Sequence, residues 1–245
     1  MKSLIRRLAS AALIVLATLF MLAPAHAQED DGRARLVQAI ASERMSNLMF
    51  ERDIAKAWTP MMMREPEIAQ IEVDCPGYVE GLIVAIRPIL SESHNYDFGW
   101  YRTELEALFR AELSDAHASG MADLLGSDLG QRVLLAAVEN YEVENSVEDA
   151  VTSADNSVSA AALAADREAT AQRLVTSLAR EDVLAFGMQV MQAPWRPEFE
   201  RIQPRIHDLQ LQLANRDFTP EHGAQFDKIV SRYAEDAITA CYNGK

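Results

Sequence analysis

Cys75 and Cys241 are the two cysteines of this 245-residue chain, and they stand too far apart to form the close C-x-x-C pair that redox catalysis uses. Neither has a histidine or a second cysteine at metal-ligand spacing, so the pattern does not support a zinc site. An even count with nothing left over favours one structural bridge, Cys75 to Cys241, provided the chain reaches a compartment where disulfides persist. A second group with chemical potential is Trp58 with Met61, Met62 and Met63, since thioethers suit Cu(I). Consecutive residues point about 100° apart around a helix, so three methionines in a row cannot all face one ion. With Met45 and Met49 nearby they read better as adaptable core filler or as an apolar groove, the candidate groove being Trp58, Met61, Met62 and Met63.

The remaining candidates for chemistry are scattered. His94, His117, His207 and His222 are widely separated, and none has a second ligand four residues on. There is no G-x-S-x-G elbow, Walker loop, dinucleotide fingerprint or H-E-x-x-H pair, so no catalytic, cofactor-binding or metal-binding residue is assigned and no cofactor is expected. Carboxylates are abundant, as in Glu104-Glu106 and Glu142-Glu144, but such runs are usually solvated helix faces. Two of them converging on one sugar bond is the route by which the chain could still be a hydrolase.

The first 27 residues read as an address. Lys2, Arg6 and Arg7 form a basic start, Leu8 to Leu22 carries no charge, and Ala25-His26-Ala27 ends in small residues. This is the pattern of a cleavable secretory signal peptide, with the mature chain expected to begin near Gln28, in the periplasm. The apolar run is shorter than the roughly 18 to 20 residues that span a bilayer, which argues against an uncleaved anchor and against stable membrane insertion after cleavage. The leader holds three of the chain's 23 basic residues and none of its 37 acids, so the formal charge deepens from −14 to −17 on cleavage. That excess repels nucleic acid and anionic membrane surfaces, and it keeps an exported helical protein dispersed.

The elements that must carry these side chains are helical. From Arg33 to Trp58 apolar residues recur at helical spacing, and Thr59-Pro60 is expected to interrupt the run. A shorter segment holds Met61 to Ile71. Asp74, one residue before Cys75-Pro76, is placed to open a helix carrying Val79, Leu82, Ile83, Ile86 and Leu90, which Pro88 should kink or end. Asp97 is expected to open another helix, with Trp100, Tyr101, Leu105, Leu108 and Phe109 on its apolar side. Thr219-Pro220 caps and starts a further one, with Phe226, Ile229, Val230, Tyr233 and Ile238 at core spacing. Glu142 to Ser159, acidic and serine-rich, reads as an exposed connection or a frayed helix end. No bounded run of period-two alternation suggests a strand.

Between Leu108 and Val133 the chain reads Leu108-Phe109, Leu113-Ser114-Asp115, Met121, Leu124-Leu125 and Ser127-Asp128-Leu129-Gly130-Gln131-Arg132-Val133. This segment resembles the bacterial domain of unknown function 2059 family, whose members carry an apolar-aromatic pair, a Phe-Thr-Glu-Glu helix start, a Phe-Tyr pair and a Ser-Pro-x-Gly-Gln/Lys-Lys turn. Here Leu124 and Leu125 stand for the Phe-Tyr pair and Asp128 for the proline. The resemblance implies a helix-turn-helix corner and no established activity. Its residues have structural reasons: Ser114 and Ser127 as N-caps, Gly130 for close backbone approach, Gln131 and Arg132 facing outward or bridging. A fainter echo, Glu181-Asp182-Val183, Phe186-Gly187-Met188 and Pro194, matches at offsets of 67 and 66 and reads more readily as helical similarity than as a repeat.

The sequence thus describes an all-α, multi-helix bundle of helical hairpins, one domain over 28–245, with the family-like part at about 97–150 and a possible second subdomain at 160–245. The function it favours is a non-enzymatic binding or interaction module of the cell envelope, whose partner would be an envelope protein or peptide. A periplasmic hydrolase or envelope-modifying enzyme is the alternative.

Overall fold

The structure, a computed structural model, describes residues 31–243, so the leader lies outside the described residues. Among those, every regular element is helical. The order is α1 (Gly32–Ile40), α2 (Glu43–Asp53), a π-helical turn (Ile54–Trp58), α3 (Thr59–Arg64), α4 (Pro66–Asp74), α5 (Tyr78–Glu112), α6 (Asp115–Gly126), α7 (Asp128–Glu139), α8 (Glu144–Thr152), α9 (Ala160–Ser177), α10 (Arg180–Gln192), α11 (Arg196–Ala214) and α12 (Pro220–Asn243).

The 35-residue α5 is the axis of the bundle. Helices α11 and α12 pack along it, and α1 to α4 lie against it; α6 holds α1, while α7 carries α9 and α10. One apolar core results, running from Leu36 and Met45 through Leu82, Ile86 and Phe109 to Leu163, Ile202, Leu213 and Phe226. Residues from the possible second subdomain therefore share the core of the first half. Cys75 and Cys241 are disulfide-bonded with Cα atoms 5.8 Å apart, tying the α4–α5 joint to α12. No described helix is long and apolar enough to cross a membrane.

Helix starts follow the capping residues. The backbone N–H of His117 donates to Ser114 Oγ, that of Gly130 to Ser127 Oγ and that of His222 to Thr219 Oγ1. Each hydroxyl satisfies one of the free donors of a first turn. A Cβ on Gly130 would collide with the carbonyls of Leu124 and Leu125, so the α6–α7 corner closes only around glycine. Gln131 Nε2 donates to Leu125 O at 2.7 Å, and Arg132 bridges to Asp182 of α10 through two nitrogens. His117 and the Ser114 N–H both reach Glu198 of α11. The family-like segment is thus a packing corner.

Several expected boundaries move. Thr59-Pro60 does not interrupt the chain: the wider π turn ends with the N–H of Thr59 bonded five residues back to Ile54 O, and Pro60 enters the first turn of α3, where no N–H is needed. The breaks come instead at Ala41-Ser42, with Ser42 capping α2, and at Glu65, which is extended as a residue before proline prefers. Asp74 ends α4 and opens nothing; α5 starts after Gly77, at φ 89°, and its first N–H groups are held by the Glu72 carboxylate. Pro88 neither ends nor divides α5, because the proline is exposed and the carbonyl it leaves free, that of Val84, lies on the solvent side. Asp97 lies inside the same helix. Glu142 to Ser159 is a connection only at 142–143 and 153–159, since α8 takes up the residues between and buries Ser146, Val147 and Ala150. It is held by Asp166 of α9, which accepts from the backbone N–H groups of Asn145 and Ser146.

Candidate functional site

Where α1, α2 and α5 face α9 and α11, the side chains leave an apolar pocket of about 200 Å³. Its floor is supplied by Ile40, Met45 and Met49 from the front of the chain and by Phe98, Tyr101, Leu105 and Phe109, on successive turns of α5. Leu174, Phe199 and Ile206 face them from the other side. Polar side chains enter mostly from α9 and α11, as Arg167, Thr170, Gln203, His207 and Gln210, and α5 adds the phenol of Tyr101. The walls contain no carboxylate.

These polar groups differ in what they already hold. Thr170 Oγ1 accepts from the backbone N–H of Glu142 at 3.0 Å, so it is fixed in place. Burial pulls the His207 imidazole below its usual value, helped by the nearby charge of Arg167, which leaves a neutral ring at the pocket. Arg167 is half-buried, and among the described residues no carboxylate pairs with it. A guanidinium keeps its charge in such a place, so the pocket has one cationic point on an otherwise apolar wall.

Three other clusters could have carried chemistry. Ser46 Oγ lies 2.6 Å from His94 Nε2, the spacing of a nucleophile and its base. Both are nearly inaccessible, the Nδ1 of His94 has no orienting partner, and burial drops the imidazole to about 4. With the rings of Phe50 and Phe98 on either side, the pair is interior packing. Asp97 is buried and receives Arg216 Nε at 2.6 Å, and that guanidinium also covers the Trp100 ring. Burial lifts its carboxyl despite the cation. Asp53, at the end of α2, is buried with neither oxygen hydrogen-bonded, and burial alone pushes it well above the ordinary carboxylate value. Neither acid lines the pocket, and among the described residues no three metal-binding side chains converge.

The candidate groove of Trp58, Met61, Met62 and Met63 does not form. Trp58, Met61 and Met62 are sealed in the core, and Met63 is 42% exposed on the opposite side of its short helix. The 100° step between neighbours separates them, as it separates them from a common ion. Met45 and Met49 do border open space, but with α5, α9 and α11. Arg167 and His207 were invisible as site residues because they are 40 positions apart and reach the same pocket only in the folded chain, from α9 and α11. Compared with known proteins, the chain matches no family model, no curated protein and no solved structure.

Proposed function

We propose that this chain is an exported, non-enzymatic binding protein of the cell envelope, and that it encloses a small, largely apolar molecule between α5 and the α9–α11 pair. The observation that carries the reading is the pocket itself, apolar on three sides with a few polar groups gathered on the fourth, the usual make-up of a small-molecule site. The leader pattern and the single long-range disulfide fit an oxidising compartment. The resemblance at Leu108 to Val133 belongs to the same proposal and adds no activity. A glycosidase working through paired carboxylates would need two acids facing one cavity, and Asp53 and Asp97 lie outside the walls of this one.

Ala171 sits exposed on α9 at the pocket's edge. Apolar alcohols of about eight carbons should raise the melting temperature of the mature protein saturably, and Ala171→Phe should remove that shift by filling the space while leaving the unliganded melt close to wild type. A wild-type melt indifferent to such ligands would overturn the binding assignment. The exported part is checked by intact mass, with an N-terminus at or near Gln28 expected and a retained leader contradicting it.

A further inference from the structure

We infer that the pocket selects a single-chain monocarboxylate, a short fatty acid whose carboxylate meets Arg167 and whose tail lies on the Met45, Met49 and Leu105 side. The inference rests on the pocket being a binding site and says which chemical class enters it. Three observations on different elements converge. The far walls, from α2 and α5, offer apolar and aromatic surface broken only by the Tyr101 phenol, so one end of the ligand should be hydrocarbon. The α9–α11 wall presents a guanidinium that, among the described residues, no carboxylate pairs with, although acids outnumber bases 37 to 23 over the full sequence. The third is size: on the scale by which an apolar cavity of about 150 Å³ admits benzene, the space takes a tail of about eight carbons, too little for a two-chain lipid.

The guanidinium fork suits a planar carboxylate through two parallel hydrogen bonds, and partial burial strengthens them. Gln203 and His207 lie on the same wall, where the amide and the neutral ring can each donate one hydrogen to a carboxylate oxygen. The chain's net negative charge opposes an incoming anion at long range, but that field is screened over about 8 Å at physiological salt, so the contact at Arg167 decides the preference. A neutral alcohol of the same length would keep the tail contacts and lose the charge-assisted pair.

The test is calorimetric titration of octanoate and of octan-1-ol into wild-type protein and into Arg167→Gln and Arg167→Lys. Wild type should bind octanoate at least tenfold more tightly than octanol. Arg167→Gln should erase that preference and leave octanol binding unchanged, while Arg167→Lys should keep part of it. Equal affinities in wild type, or a preference that survives Arg167→Gln, would overturn the carboxylate assignment and leave the apolar pocket standing. Binding of neither ligand would overturn both.

Discussion

Asp53 closes α2 with both carboxylate oxygens buried and no donor beside them, at the point where the helix widens into the π turn. Its carboxyl is held well above the usual value of 3.8 by loss of solvent. The folded state therefore grips this proton more tightly than the unfolded chain does. Its contribution to stability is full below the ordinary carboxylate range and is lost as pH rises through the folded value. Melting curves of Asp53→Asn against wild type should show the gap moving in the variant's favour as pH rises above the ordinary carboxylate range. A gap that does not change with pH would mean that Asp53 titrates normally. Nothing in the sequence distinguishes Asp53 from the other acids, because its environment comes from tertiary packing near Tyr141, whose hydroxyl feels its charge. Ser114, Ser127 and Thr219 were legible for the opposite reason, since a cap hydroxyl reaches only its own next turn.

At the scale of elements, the same division between local and distant causes explains which helices could be read. Helix α12 was visible in Thr219-Pro220 and its apolar spacing. Helix α5 reads as two in sequence, since Pro88 and Asp97 carry the marks of a boundary, yet the Val84 carbonyl that the proline leaves free faces solvent, which can donate to it, and Arg216, more than a hundred residues on, engages the aspartate. Short helices α3 and α4 follow Pro60 and Pro66, where proline is welcome in a first turn. The disulfide was legible from the cysteine count together with the expectation of export, and it fastens α12 to the joint before α5. Closing 166 residues should stabilise by up to ~4 to 5 kcal/mol in the loop-entropy model. Reduction should thus lower the melting temperature by several degrees and speed amide exchange in α12 before α9. Identical melts with and without reductant would contradict a structural role.

Across the whole molecule, the all-α class followed from periodicity, but the pocket did not, because it is assembled from α1, α2 and α5 on one side and α9 and α11 on the other. The methionine run drew attention to Met61 and Met62, which the fold seals, whereas Met45 and Met49, weaker as a motif, face the open space. The central claim is that this space takes a ligand. Methionine methyl resonances test it directly, since the methionines are spread over core, pocket and surface. On saturation with octanoate, the methyls of Met45 and Met49 should shift while those of Met61 and Met62 stay within line width. Shifts confined to the exposed Met188 and Met191, or no shift anywhere, would contradict the account.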